Sequence, residues 1–409
     1  MRVAFALAVV LLAGSPAQAD GGKPARVNVF SQALLYGTAL AVEESDFNPG
    51  NALAHIPAHQ LDGELRVDLA AAAGDCNASA KLRARYARAG HDESHAGFVN
   101  QGGLRCRLGG GAFELSAGRE VLQWGSSFYL SPSNPFFTDT GKTNPIQELA
   151  GKDMLQALWF ADHGVTVSLI RNPSRTAREP DPLNFSPLSA LRVDVVGDAA
   201  SGGAIVSRRD DGIERLGLYG TLPWSRALVL YAEANAGRGS AGWFPAGAAL
   251  AQTKLDSKQL LHTVLAGGGY TFESGWTLNA EWIHGNEGYS ANERREVKRL
   301  VSAAARDFPQ PQATGLIGSA LAPNLPYLGT DYLFLQLLRT EWEDKGDVAL
   351  RWTRSFGTGG GTLLSGSFTW YLDNHCQLFL LASRSSGAAG RDVGRLIRSS
   401  VQAGVRFTF

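Results

Sequence analysis

The chain has 409 residues, 44% of them hydrophobic and 19% charged, with 38 basic and 38 acidic side chains and no net charge. Balanced charge argues against a nucleic-acid partner. No apolar stretch of helix-spanning length follows the first 20 residues, which excludes a transmembrane helix there.

The N-terminus combines Met1-Arg2, the apolar run "VAFALAVVLLAG" and the small-x-small pattern Ala17-Gln18-Ala19. Charge, greasy segment and small residues in that order predict a secretory signal peptide over 1–19, cleaved before Asp20. No Cys follows the cut, so lipoprotein processing is not expected. Residues 20–409 would then be the exported domain.

From there the chain reads as strand after strand. In "LDGELRVDL", Leu61, Leu65, Val67 and Leu69 share one face, and Asp62, Glu64, Arg66 and Asp68 the other. "KLRARYAR" sets Lys81, Arg83 and Arg85 against Leu82, Ala84 and Tyr86. "WTLNAEWIH" and "LLSGSFTWYL" alternate in the same way, and so does the terminal "SVQAGVRFTF". A period of two means one apolar and one polar face. Segments of about ten such residues between turn residues predict a transmembrane β-barrel.

About eighteen strands can be drawn, an even number as single-chain bacterial barrels usually have. They begin near Val27, Leu61, Cys76, His95, Ala112, Lys152, Gly164, Ala190, Gly202, Ile213, Arg226, Leu260, Trp276, Thr330, Gly346, Gly361, His375 and Arg398. The connections sort by length. Tiny turns ("AGD", "GGG", Asp162-His163, "GDAA", "PWS", "ESG", "EDK", Asp373-Asn374) alternate with a second set. That second set holds every long segment: 40–59, 123–151, 173–187, 238–259 and 287–328. An all-β, antiparallel up-and-down barrel with short periplasmic turns and long extracellular loops explains this sorting. Lipid offers no hydrogen bonds, so the last strand must pair with the first, near 27–39. Phe407 and Phe409 would join an aromatic girdle on the periplasmic side.

Cys76 and Cys106 fall near the periplasmic ends of neighbouring strands, which leaves two readings: a disulfide, or two isolated small residues. Cys376 sits alone at a turn. With no C-x-x-C spacing, neither a metal site nor a cofactor is expected. In the longest loop, "SANERREVKRLVSAAARDF" predicts a helix capped by Ser290 or Asn292.

Parity places Asp62, Glu64, Arg66, Asp68, Lys81, Arg83, Arg85, Arg105, Arg107, Glu114, Arg192, Asp194, Arg215, Glu233, Glu281, Arg351 and Arg406 inward. Eighteen strands enclose more space than side chains fill, so a water-filled pore is expected, with cross-strand ion pairing as the rival reading. The expected pore-lining set is Asp62, Glu64, Arg66, Lys81, Arg83, Arg85, Arg105, Arg107, Arg192, Asp194 and Arg351. The basic sector of Lys81 to Arg107 points toward anionic or polyhydroxylated solutes.

The ending resembles the C-terminal signal of Gram-negative outer-membrane proteins, an aromatic-ended strand read by the barrel assembly machinery. The segment "GREVLQWGSSFYLSPSNPFFTDTGKTNPIQELAGKDM" joins the fifth and sixth strands. In general porins the loop at that position folds into the barrel and narrows it. That resemblance implies a constriction lined by Ser126, Ser133, Asn134, Asp139, Lys142, Asn144 and Glu148. The alternative is a surface loop stiffened by Pro132, Pro135 and Pro145. "GREVLQWGSS" and "NPIQEL" also resemble a porin-like Gram-negative family with Gly-Arg, Trp-Gly-x-Ser and Asn-Pro motifs, although Glu120 stands where that family has Gln.

Enzymatic barrels need a Ser–His pair facing lipid, or acidic residues with a His at the outer rim. His284 faces lipid by parity with no Ser evidently beside it. His91, Asp92, Glu93 and His95 form a solvated cluster at a short connection. The chain is therefore expected to be no enzyme. The expectation is a channel for passive diffusion of small hydrophilic solutes across the Gram-negative outer membrane, in contact with its lipid and lipopolysaccharide. A barrel for polysaccharide export or envelope anchoring is the second reading.

Overall fold

Alternation of apolar and polar residues along almost every segment produces long strands with one greasy face. The computed structural model describes residues 26–173, 186–357, 359–388 and 390–409, so the expected signal peptide lies outside the described residues. The first five strands are β1 (Arg26–Val42), β2 (His59–Ala73), β3 (Cys76–Ala89), β4 (Asp92–Leu108) and β5 (Phe113–Glu120). Next come β6 (Lys152–Phe160), β7 (Val165–Asn172), β8 (Leu188–Val196), β9 (Ser201–Arg209), β10 (Glu214–Pro223) and β11 (Leu228–Arg238). A small hairpin, β12 (Phe244–Ala246) and β13 (Ala249–Ala251), interrupts the series within a loop. The wall resumes with β14 (Leu260–Thr271) and β15 (Thr277–Gly285). Two helices follow, α1 (Ala291–Asp307) and α2 (Pro311–Leu321). The last strands are β16 (Asp331–Trp342), β17 (Gly346–Ser355), β18 (Gly361–Tyr371), β19 (Cys376–Gly387) and β20 (Ile397–Thr408).

Eighteen strands form one antiparallel sheet in which each pairs with its sequence neighbours, β12 and β13 excepted. All eighteen expected strands are present, with shifted edges. β1 pairs with β2 on one side and with β20 on the other, so the sheet closes. The closing register runs from Gln32 opposite Thr408 to Val42 opposite Ile397, further up β1 than expected. The difference arises because β20 ends opposite Gln32, and the first residues of β1 pair with β2 alone. The Phe409 N–H still donates to the Ser31 carbonyl at 2.9 Å.

Closure leaves no lipid-facing polar edge, and the outer face is apolar to match. Leu35, Leu104, Leu115, Leu169, Leu216, Leu350 and Leu378 are exposed on it. Phe113, Trp159, Trp224, Phe272, Trp342, Trp370, Phe407 and Phe409 ring the barrel near its short turns. That ring is the aromatic girdle expected at a membrane interface. Cys76 lies directly opposite Cys106 and the two form a disulfide on the outer face, joining β3 to β4 at their periplasmic ends. The wall is uneven in height. β4 runs for 17 residues but β5 for only 8, and β5 pairs with β4 only between Gly102 and Leu108.

Ser290 caps α1 through a reciprocal capping box with Glu293. The helix buries Val297, Leu300, Val301 and Ala304 against Phe47, Phe244, Leu250 and Ile317. Loops 43–58, 239–259 and 286–330 thereby form one apolar-cored cap over part of the outer mouth. Neither α2 nor the β12–β13 hairpin is foreseen in the sequence.

Closure also depends on close approach at the seam. A Cβ on Gly404 would meet the Leu35 carbonyl oxygen at 2.3 Å and the Tyr36 Cβ at 2.4 Å. Gly63, on β2, has nothing within 4 Å of its Cβ position. Gly404→Val is therefore expected to cost about 1–3 kcal/mol of overpacking, whereas Gly63→Val is near neutral. Urea unfolding of detergent-folded barrels, followed by heat-modifiable gel mobility, measures the difference.

Candidate functional site: the loop-crossed lumen

Segment 121–151 leaves β5 at the outer end and turns into the barrel. Its first half is tied to the wall formed by β10, β11 and β15. Glu233 on β11 accepts hydroxyl hydrogen bonds from Ser127, Ser131 and Ser133 at 2.6, 2.6 and 2.7 Å. Glu281 on β15 accepts the backbone N–H of Phe128 and, at 3.0 Å, that of Tyr129, with the Tyr231 hydroxyl at 2.8 Å. Both carboxylates are almost wholly buried, at 2% and 1% exposure. A buried carboxylate is costly unless its lone pairs are filled, and here the loop fills them. Asn235 adds a bond to the Pro132 carbonyl at 2.8 Å, and Tyr129 stacks on Phe334 with ring centres 5.2 Å apart.

The second half docks on the opposite wall. Arg83 holds Glu148 bidentately, at 2.6 and 2.8 Å, and reaches Asp68 at 2.7 Å. Arg66 donates to the Ile146 carbonyl at 2.7 Å and to Glu64 at 3.0 Å. Asn100 donates to Glu148 and to the Leu149 carbonyl, and Arg406 to the Pro145 carbonyl. Ile146 inserts between Leu34 and Phe379. The loop thus spans the lumen between two charged anchors, which decides between the two readings of the prolines: they stiffen a segment inside the barrel.

These contacts sort the residues expected on the wall. Glu64, Arg66, Arg83 and Arg351 are buried, closed off from solvent by the loop or by neighbours. Arg351 donates to Gln336 at 2.7 Å and to Ser367 at 3.1 Å. Arg192 pairs with Asp194 at 2.7 Å and lies over the Trp124 ring. Asp62 accepts from Gln60 at 2.6 Å. Lys81, Arg105 and Arg107 instead line an open cleft of about 560 Å³ beside Asn77, Ser79 and Glu114. Glu114 is shared between Arg105, at 3.2 Å, and Arg107, at 3.4 Å. Arg85 sits above it, 3.5 Å from Glu64 and over the Phe98 ring.

Among the loop residues, Ser126 bonds Thr221 on the wall at 2.7 Å. Asn134 and Asn144 are spent on the loop's own backbone, capping Phe136 and Phe137, and Ile146 and Gln147, respectively. Asp139 does the same for Gly141. Lys142 donates to the Ser127 carbonyl at 2.8 Å. Parity alone could place Glu233 and Glu281 inward but could not assign them to the loop, because their partners lie about a hundred or more residues away in sequence. A second cavity, of about 680 Å³, opens above the loop between Pro132–Phe136, Arg215, Trp243 and Tyr327. Among the described residues, no group of three His, Cys, Asp or Glu side chains is placed to hold a metal. His284 faces outward and bonds Asp331 at 2.8 Å. No serine is bonded to it among the described residues.

A closed eighteen-stranded barrel with a long loop folded into it defines the porin class of outer-membrane folds. Solved structures agree. Over 94% of its length the chain resembles Pseudomonas aeruginosa OccK11 (OpdR), covering 96% of that chain with a TM-score of 0.58 at 9% identity. It resembles P. aeruginosa OccK5 (OpdH) with a TM-score of 0.56 at 8% identity, covering 94% of this chain and 98% of that one. For P. aeruginosa OprD the TM-score is 0.54 at 9% identity, over 93% and 95% of the two chains. Neither a protein-family model nor a curated protein matches the sequence.

Burial alone would push the Glu148 carboxyl up. The Arg83 hydrogen bonds outweigh it, with the charges of Arg66, Arg83 and Lys81, and hold it below the usual carboxylate range. A depressed carboxylate contributes its stability above the unfolded value and loses it only as pH falls through the folded one. The anchor should therefore hold through the ordinary Glu range near about pH 4.3 and fail below it. Arg83→Ala leaves Glu148 and Asp68 without their partner and should cost about 3 kcal/mol. Protease nicking within 139–150, followed in proteoliposomes from pH 7 to pH 3, should stay low for the wild type until the acid end. It should be high at every pH in Arg83→Ala.

Proposed function

We propose that the chain is an outer-membrane channel for passive, weakly selective diffusion of small hydrophilic solutes, narrowed by segment 121–151. The observation that carries this reading is the loop pinned to both walls of a lumen that still holds open cavities above and below it. Eighteen strands leave too wide a bore for wall side chains to fill. A crossing loop converts that bore into a narrow passage, and the charges beside it set which solutes enter.

Lys81, Arg85, Arg105 and Arg107 present positive charge along one side of the passage, and this supports a preference for anions. P. aeruginosa OpdK, another similar fold, has been solved with vanillate, a small carboxylate of the kind such a wall would favour. Glu233 and Glu281 lie across from the arginine-rich wall. Both are buried under the loop with their oxygens hydrogen-bonded, so the charge presented to the passage is that of the basic side. On the same reading the chain reaches the Gram-negative outer membrane through a cleaved signal at 1–19 and the assembly machinery that reads its terminal Phe409.

Planar-bilayer recording of the purified protein tests this. Stepwise conductance with an anion-favouring reversal potential is the expected result, and silent bilayers would overturn the channel reading. Arg105→Ala/Arg107→Ala and Arg85→Ala should each shift the reversal potential toward cations; the double variant also strips the buried Glu114 of both arginine partners, so heat-modifiable mobility is read alongside to confirm that it folds. Unshifted selectivity in both would remove these residues from the path.

A further inference from the structure

The outer face of the barrel is apolar, yet the sector β17–β20 carries arginines on it near the extracellular rim. Arg354 on β17 and Arg384 on β19 are exposed and alternate with the lipid-facing leucines Leu350 and Leu380. Register fixes their spacing. Arg354 lies opposite Thr362 on β18, and Arg384 opposite Leu364, two residues deeper on the same strand. Two strand spacings across and two residues along put their Cα atoms about 12 Å apart.

Neither guanidinium has a carboxylate partner among the described residues. Arg354 leans over the Phe356 ring at 5.4 Å. The neighbouring Arg398 is paired, sharing Glu43 with Arg391 at 3.3 and 2.9 Å. Three other rim arginines have acidic partners: Arg171 with Asp210, Arg208 with Glu214, Arg88 with Glu93. An unpaired cation at the boundary with hydrocarbon is costly unless the surroundings supply an anion. Leu364 lies beside Arg384, and Leu350 and Leu380 lie deeper on β17 and β19, so the three form an exposed apolar strip next to the pair.

We infer that Arg354 and Arg384 form a binding site for one molecule of the outer leaflet's phosphorylated glycolipid, lipid A. Its two phosphates stand at opposite ends of a disaccharide, a length of the same order as the arginine spacing, and its acyl chains would lie on Leu350, Leu364 and Leu380. Arginine suits this task because its fork meets a phosphate bidentately. Phosphatidylglycerol and phosphatidylethanolamine offer one phosphate each and cannot bridge the pair.

Native mass spectrometry of the full-length protein in detergent tests the assignment. Diphosphoryl lipid A, monophosphoryl lipid A, phosphatidylglycerol and inorganic phosphate serve as probes. One diphosphoryl lipid A should bind saturably, with the monophosphoryl form about tenfold weaker, the loss of one charge-assisted contact. Arg354→Ala/Arg384→Ala should lose the lipid, Arg354→Lys/Arg384→Lys should keep part of the affinity, and Arg238→Ala, at the rim on β11, should bind as the wild type does. Heat-modifiable mobility reports whether each variant folds. Undiminished binding by the folded double-alanine variant, equal binding of phosphatidylglycerol, or binding of free phosphate alone would each overturn the site.

Discussion

A peptide group in hydrocarbon has no partner but another peptide group. Every feature of the wall follows from that constraint. The strands alternate because one side meets lipid and the other water, and the sheet closes because an open edge would strand a row of N–H and C=O groups. The seam between β1 and β20 is therefore where the fold is completed, and the demand for close approach there explains a glycine at 404 facing Tyr36.

Within the lumen a different balance rules. Water is present, but the loop expels it from two patches, and those patches enclose Glu233 and Glu281 on one side and Arg66 and Arg83 on the other. Glu233 and Glu281 accept six hydrogen bonds between them, five from the loop, through the Ser127, Ser131 and Ser133 hydroxyls and the Phe128 and Tyr129 N–H groups, and one from Tyr231 on the wall. Arg83 and Arg66 do the converse on the far wall. Removing either side of such a contact exposes an uncompensated charge, which costs far more than the contact contributes on its own. The segment is thereby fixed at both ends by groups of opposite sign.

Much of this was legible in the sequence, and the boundary of legibility has a physical cause. Strand number, the sorting of loops and the inward face of each strand follow from a local period of two. Helix α1 was legible because Ser290 and Glu293 form a capping box ahead of an amphipathic run. Helix α2 was not, since "PQATGLIGSAL" lacks a polar face and owes its form to packing against α1. The charged wall was legible as a set but not as a division of labour. Arg83 and Arg85 look alike in "KLRARYAR", yet one is enclosed by Glu148 from a distant segment while the other remains half-open. Only tertiary distance separates them.

The unequal strand heights have a consequence for the β3–β4 hairpin. Above Gly102, β4 loses β5 as a neighbour, and its free edge is met only by scattered contacts such as the Gly151 N–H on the Asn100 carbonyl. The sequence there, "DESHAGF", is polar and carries charges, as solvated strand margins usually do. This parapet stands clear of the bilayer, where the rule governing the rest of the wall lapses. Its tip at Gly90-His91 is the part of the β-structure free to change length or chemistry without reopening the barrel.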